Sequence, residues 1–367
     1  VGYPLIKENY SLNENLILIS NEKNWIEQAA KDQLEGVSRL AGVKRTVGLP
    51  DLHPGKSPVG MALLSEGRFY PHLIGNDIGC GMGLFETGVK LKKYKQSKWV
   101  SRLNYIRELS DIWIENPYEE ESPISDLGTI GSGNHFAEFQ CVDQVLNEEL
   151  FAGLNIARGQ VHLLVHSGSR GYGQSILSRF YNPDGLPEGS EEADAYLTEH
   201  ARALLWAERN RRLTAVKLMN YLGVDDDVRT VIDCGHNYLE QWEGGWLHRK
   251  GAVSATKGAV VIPGSRGSLT YICVPKENTD ISLNSLSHGA GRKWARSICK
   301  SRINNKYDRD SIRTTTFKSQ VICHDTNLLF QEAPEAYKNV EEIIRILVDY
   351  DLIEVAATMR PLITFKG

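Results

Sequence analysis

The chain has 367 residues, 41% of them hydrophobic and 24% charged, with a formal net charge of −4. This ordinary globular composition gives no general argument for nucleic acid or a membrane surface as partner. No apolar run approaches the roughly 18 residues a membrane span needs, no basic-then-apolar leader opens the sequence, and the six cysteines are widely spaced without a CxxC pair, so a reducing, cytoplasmic setting is expected.

In chain order, the first run that carries chemistry is GLPDLHPGKSPVG (48–60), a glycine- and proline-rich turn around His53. LIGNDIGCGMG (73–83) follows and sets Asp77 and Cys80 three residues apart. A carboxylate and a thiolate at that spacing can share a divalent ion, although a lone cysteine is more often a small buried hydrophobe. GTIGSGNHFAE (128–138) carries His135 in another glycine-rich turn. VHLLV (161–165) reads as a short strand running into His166. The loop NPDGLPEGS (182–190) then leads into a predicted helical arm over about 189–222, with Ser190 as its N-cap.

Two further strands end in polar residues. TVID (230–233) delivers Gly235 and His236, and AVVI (259–262) delivers Pro263, Gly264 and Ser265. Strand ends hold side chains firmly yet let them reach a cleft, so one shared pocket is predicted. SHGAGRK (287–293) places His288 among small residues, where it is a packing residue, a metal ligand or a nucleophile beside a phosphate. From Arg292 to Lys318 nine Lys or Arg face two acids, a basic strip that is either an RNA path or a solvated face. The apolar stripe over 340–350 predicts a last helix. No repeat divides the chain, and one domain over 1–367 is expected.

Collected, Asp77, Cys80, His135, His166 and His236 make five ligands, one too many for a tetrahedral site but suited to two metals sharing the thiolate. The mixed donor set leaves Mn, Zn, Fe and Co open. His53 and His248 are read as substrate contacts or as support for the ligands, and His72, His162, His200 and His324 as structural histidines. VIPGSRGS (261–268) is a strand followed by a turn whose amides, with Ser265 and Arg266, suit an anion; it is not a Walker A loop, and a plain tight turn is the alternative.

This set resembles the RtcB family of RNA ligases over nearly the whole chain. The resemblance rests on PDLHPG, NDIGCG, GTIGSGNHFAE, HSGSRG, GHN, HRKGA, VIPGS, HGAGR, EAPEAYK and RPLITFKG, in the family's order. It implies an α+β fold with mixed sheets around a central metal and nucleotide cleft. It also implies GTP and two Mn²⁺ ions as cofactors, and joining of RNA 3′-phosphate or 2′,3′-cyclic phosphate ends to 5′-hydroxyl ends. By the same resemblance His288 is the nucleophile that carries GMP, and Asp77, Cys80, His135, His166 and His236 are the metal ligands, with Cys80 bridging. Asn134, His135, Phe136, Ala137, Glu138, His236, Asn237, Pro263, Gly264, Ser265, Arg266, Thr270, His288, Gly289, Ala290, Gly291, Tyr337 and Lys366 match positions that hold the guanine nucleotide. Arg292, Lys293, Arg296, Lys300 and Arg302 are expected on the RNA path.

Three departures stand out: Gly79 replaces the usual Asn before the bridging cysteine, Arg266 replaces the common Met, and the chain is short. It is similar to the shorter branch associated with a release-factor-like protein and with repair of broken RNA, transfer or ribosomal. A metal-dependent cyclic phosphodiesterase without ligation and a non-catalytic RNA-binding factor are the competing readings.

Overall fold

A computed structural model describes residues 10–13, 15–114, 118, 127–224, 228–308 and 310–366. Among these the strands form two large sheets and two small ones, interspersed with helices, so the fold is α+β. The larger sheet has eight strands. Its order is Arg229–Gly235, Gly81–Lys90, Gln160–Ser167, Phe136–Val145, Ile353–Lys366, Thr270–Pro275 and Val260–Pro263, with Gln320–Cys323 added in parallel to Ile353–Lys366. The six-stranded sheet contains Val43–His53 and Val59–Ser65 at its middle and Asn237–Trp242 at one edge.

The final strand is central because it is apolar and buried along most of its 14 residues, and its register with Phe136–Val145 slips at Thr358/Met359 and again at Pro361/Ile363, where Pro361 has no N–H to offer. Val47, Leu49, Ala62 and Leu247 of the smaller sheet meet Val260, Ile262 and Ile353 of the larger one in a shared core, which the helix Val340–Asp349 seals with Ile343, Ile344 and Leu347. Asn339 caps that helix by accepting from the Glu341 amide.

The helix after the 182–190 loop runs Glu191–Tyr221. Ser190 Oγ accepts from the Ala193 amide at 3.2 Å, and Glu191, Glu192 and Asp194 complement the dipole of its first turn. Its buried face includes Asn210 and Arg211, and that polar pair matters for the site. All six cysteines are free, and no helix among the described residues is long and apolar enough to cross a membrane.

Candidate metal and nucleotide site

Four neighbouring strands of the larger sheet reach one edge together. Gly81 pairs with Gly235 on one side and Ser167 on the other, and His166 pairs with Phe136. Strands lie roughly 4.8 Å apart, so the residues at these ends must converge. They are His236, Cys80, His166 and His135. The rings of His135 and His166 lie 5.0 Å apart and those of His166 and His236 lie 5.1 Å apart.

Cys80 Sγ is 3.3 Å from His135 Nε2 and 3.2 Å from His166 Nε2, while Asp77 Oδ2 is 2.9 Å from His135 Nε2. Two ligand groups result, Cys80–His166–His236 and Asp77–Cys80–His135, each with its donor atoms within 4.8 Å of one another. They share the Cys80 sulfur. His135 and His166 turn their Nδ1 atoms to the Ile130 and Asn134 carbonyls, which fixes the rings with Nε2 inward. His236 Nδ1 is buried without a partner among the described residues. Burial, then neighbouring imidazoles, pushes His166 and His236 well below the ordinary histidine range and keeps them neutral. Burial and the Asp77 charge push the Cys80 thiol up, a bias that a divalent cation would reverse. The donor set therefore fits a pair of divalent ions.

The long helix ties the ligand loops from behind. Arg211 grips Asp233 with two nitrogens, at 2.8 and 2.5 Å, and donates to the Gly79 and Ser167 carbonyls at 2.7 and 2.9 Å. Asn210 Oδ1 accepts from the Gly128 and Thr129 amides, and its Nδ2 donates to Ser167 Oγ. Gly79 has φ +72°, and a Cβ there would lie 2.8 Å from that of Ala207. Close approach of this helix accounts for glycine at the position.

His288 sits beside the cluster, its ring 4.7 Å from that of His236. Its Nδ1 lies 2.6 Å from Asp51 Oδ2, and its backbone N–H donates to the same oxygen at 3.2 Å. Gly291, at φ +70°, lets the HGAGR turn pass over Asp51, whose carbonyl oxygen any Cβ would strike. Lys338 donates to the Pro50 and Leu52 carbonyls on either side of Asp51. His53 stacks at 6.4 Å on His288 and lines the same cavity.

That cavity holds about 1300 Å³, more than a single small ligand requires. One flank is the expected nucleotide pocket, lined by Asn134, Phe136, Glu138, Asn237, Pro263, Gly264, Ser265, Arg266, Gly289, Ala290, Gly291, Tyr337 and Lys366. Glu138 accepts from Gln140 and Thr364, and burial pushes its carboxyl up to about 6. Lys366 is buried at the end of the central strand, 3.8 Å from Glu332 Oε2. Arg266 is 8% exposed, and both terminal nitrogens lack a partner among the described residues.

Several expectations need correction. Ala137 and Thr270 lie outside the cavity lining, in the wall behind it, where Thr270 Oγ1 accepts from Gln140. Arg292 turns inward to Glu332, Tyr337 and the Gln331 carbonyl instead of lying on an open RNA path. Arg296 lines the cavity, whereas Lys293, Lys300 and Arg302 are exposed outside it. His248 is a core histidine that accepts from the Tyr70 amide at 2.9 Å. His72, read as structural, lines the cavity mouth.

Sequence reasoning missed Asp51, Asn210 and Arg211. Asp51 stands inside the quoted PDLHPG motif, which was its signal; the other two interrupt an apolar helical face, a weaker one.

The sequence matches the family model described as "tRNA-splicing ligase RtcB" over residues 33–111 and 110–367. The chain belongs to the RtcB family. It is 43% identical to "RNA-splicing ligase RtcB2" of Escherichia coli ATCC 25922, covering 97% of both chains. Against "RNA-splicing ligase RtcB" of Escherichia coli K12 it is 28% identical over 97% of this chain and 100% of the relative. Against "tRNA-splicing ligase RtcB" of Nanoarchaeum equitans it is 27% identical over 91% of each. The sheet edge that gathers Cys80 and the three histidines is thus the centre of an RtcB-type fold.

Proposed function

We propose that the protein is an RtcB-type RNA ligase that joins RNA 3′-phosphate or 2′,3′-cyclic phosphate ends to 5′-hydroxyl ends, using GTP and two Mn²⁺ ions. Residues 1–367 form one ligase domain in this reading, supported by the core shared between the two sheets. The observation that carries the mechanism is the 2.6 Å contact of His288 Nδ1 with Asp51, beside ligand groups that share Cys80. A carboxylate on Nδ1 fixes the tautomer and leaves the Nε2 lone pair free to attack.

His288 Nε2 attacks the α-phosphorus of GTP. A P–N bond forms, the bond to the oxygen bridging the β-phosphorus breaks, and pyrophosphate leaves. An oxygen of the RNA 3′-phosphate next attacks the same phosphorus, the P–N electron pair returns to Nε2, and GMP is left joined to the RNA end. The 5′-hydroxyl oxygen finally attacks the RNA phosphorus, its proton passes to water, and GMP departs with the electrons of the broken P–O bond. A cyclic end is first opened by water. Divalent ions held by Asp77, Cys80, His135, His166 and His236 would neutralise phosphate charge during these transfers. Glu138 and Lys366 offer an acceptor and a donor at the base end of the cavity, and Gly264, Ser265 and Gly289 surround the phosphates.

Incubation of the full chain with GTP and Mn²⁺ should give a covalent GMP adduct by mass spectrometry, lost in His288→Ala, together with joined RNA. Absence of the adduct in the wild type, or its persistence in His288→Ala, overturns the mechanism. GTP-independent opening of cyclic ends without joining would favour a phosphodiesterase. The natural RNA, transfer or ribosomal, and a functional link to a release-factor-like protein belong to the same proposal. Parallel ligation of tRNA halves and a nicked ribosomal fragment ranks the substrates.

A further inference from the structure

We infer that Tyr181, backed by His72 at the cavity mouth, is the stacking platform for the first nucleobase of the 5′-hydroxyl RNA strand. This rests on the ligase reading above. The cavity lining holds two unlike sets of residues. One is the nucleotide pocket around Glu138, Tyr337 and Lys366. The other comprises Arg170, whose amide donates to Asp77 Oδ1 at 3.3 Å, with Lys250, Gln174, His72 and Tyr181.

Tyr181 is 62% exposed, and among the described residues it is the one exposed large hydrophobic side chain that also lines the cavity. Exposed aromatics elsewhere, such as Trp25, Tyr105 and Trp113, have no such neighbour. The Tyr181 ring centroid lies 5.8 Å from that of His72. His72 is itself fixed, with Nδ1 donating to the Asn182 carbonyl at 3.1 Å and its ring set edge-on to Tyr70 at 5.8 Å. The result is a braced aromatic surface that lines the cavity and is open to solvent. Keeping such a ring exposed forgoes burial, and a nucleobase is the ligand that would cover it.

The strand it serves follows from the chemistry. Displacement at phosphorus sets the incoming and departing oxygens in line, on opposite sides. GMP departs toward the nucleotide pocket, so the proposal brings the 5′-oxygen in from the Asp77 side, with its nucleotide toward Tyr181. Stacking tolerates any base, so the platform adds affinity without restricting sequence.

The test is two-piece ligation with each strand titrated separately. Tyr181→Ala should raise KM for the 5′-hydroxyl strand about 5- to 100-fold, the range expected for one lost stack, while leaving KM for the 3′-phosphate strand in place. Tyr181→Phe should restore it. An abasic first residue on the 5′-hydroxyl strand should produce a similar loss in the wild type and little further loss in Tyr181→Ala. Covalent GMP loading in the same preparations reports folding. Wild-type protein that ligates while Tyr181→Ala matches it on both strands, or is impaired only for the 3′-phosphate strand, overturns the platform. Wild-type protein that neither loads GMP nor ligates overturns the ligase reading instead.

Discussion

Asp51 Oδ2 accepts two hydrogen bonds from one residue, the Nδ1–H of His288 at 2.6 Å and its backbone N–H at 3.2 Å. Burial alone would raise the Asp51 carboxyl, but the hydrogen bond from His288 opposes it and the group is held below its ordinary range. An ionised carboxylate only accepts, so the imidazole proton belongs on Nδ1. Replacing Asp51 by Asn removes the charge and lets the wrong tautomer compete. The rate of GMP loading should fall about 10²- to 10⁴-fold with bound metal retained. Rapid-quench loading assays and metal analysis check this, and a loss below threefold would remove Asp51 from its positioning role.

Glu138 supplies a pH signature. Its carboxyl is raised by burial from 4.5 to about 6, so the unfolded chain loses this proton first as pH rises. Its contribution is complete below 4.5 and is lost as pH climbs through about 6. Above that the ligand-free fold carries a penalty of about 2 kcal/mol. Glu138→Gln should therefore gain stability relative to wild type between pH 4.5 and 7 in denaturant titrations, and at the same time bind GTP more weakly. A stability difference independent of pH would contradict this account.

Cys80 belongs to both ligand groups, whereas His236 belongs to one. Cys80→Ala should leave fewer than one tightly bound Mn²⁺ per chain, and His236→Ala should retain close to one. Metal quantification after gel filtration distinguishes them. Equal losses in the two variants would argue against a shared sulfur.

Arg211 is buried and bidentate on Asp233, so truncation strands a carboxylate and two carbonyls. Arg211→Met should destabilise the protein by about 3–5 kcal/mol and weaken metal retention, and Arg211→Lys should not recover it because an ammonium cannot reproduce the fork. Urea melts and metal dissociation rates test both statements.

Much of the site was legible before any coordinates. Cys80 and His135 stand in glycine-rich turns, and His166 and His236 follow short apolar strands whose ends mark a shared pocket. His288 was distinguishable from a core residue by its small neighbours. Lys366 was harder, since a lone lysine after an apolar run carries no local sign of burial. Its place is set by 14 residues of strand pairing across the larger sheet.

Sequence by itself determined the residue types, the strand ends, the helix capped by Ser190, the apolar stripe of the last helix and, through the ordered motifs, the family. The fold alone decided what those residues face. Asp51 reaches His288 across 237 positions, and Arg211 reaches Gly79 across 132, because sheet pairing and helix packing bring them together. The same long-range contacts turned Arg292 inward to Glu332, buried His248 behind Tyr70 and left Tyr181 at the cavity mouth. Local propensity encodes the chain's direction over a few residues. Which charge is spent inside and which is offered to a ligand depends on partners distant in sequence, and periodicity carries no record of them.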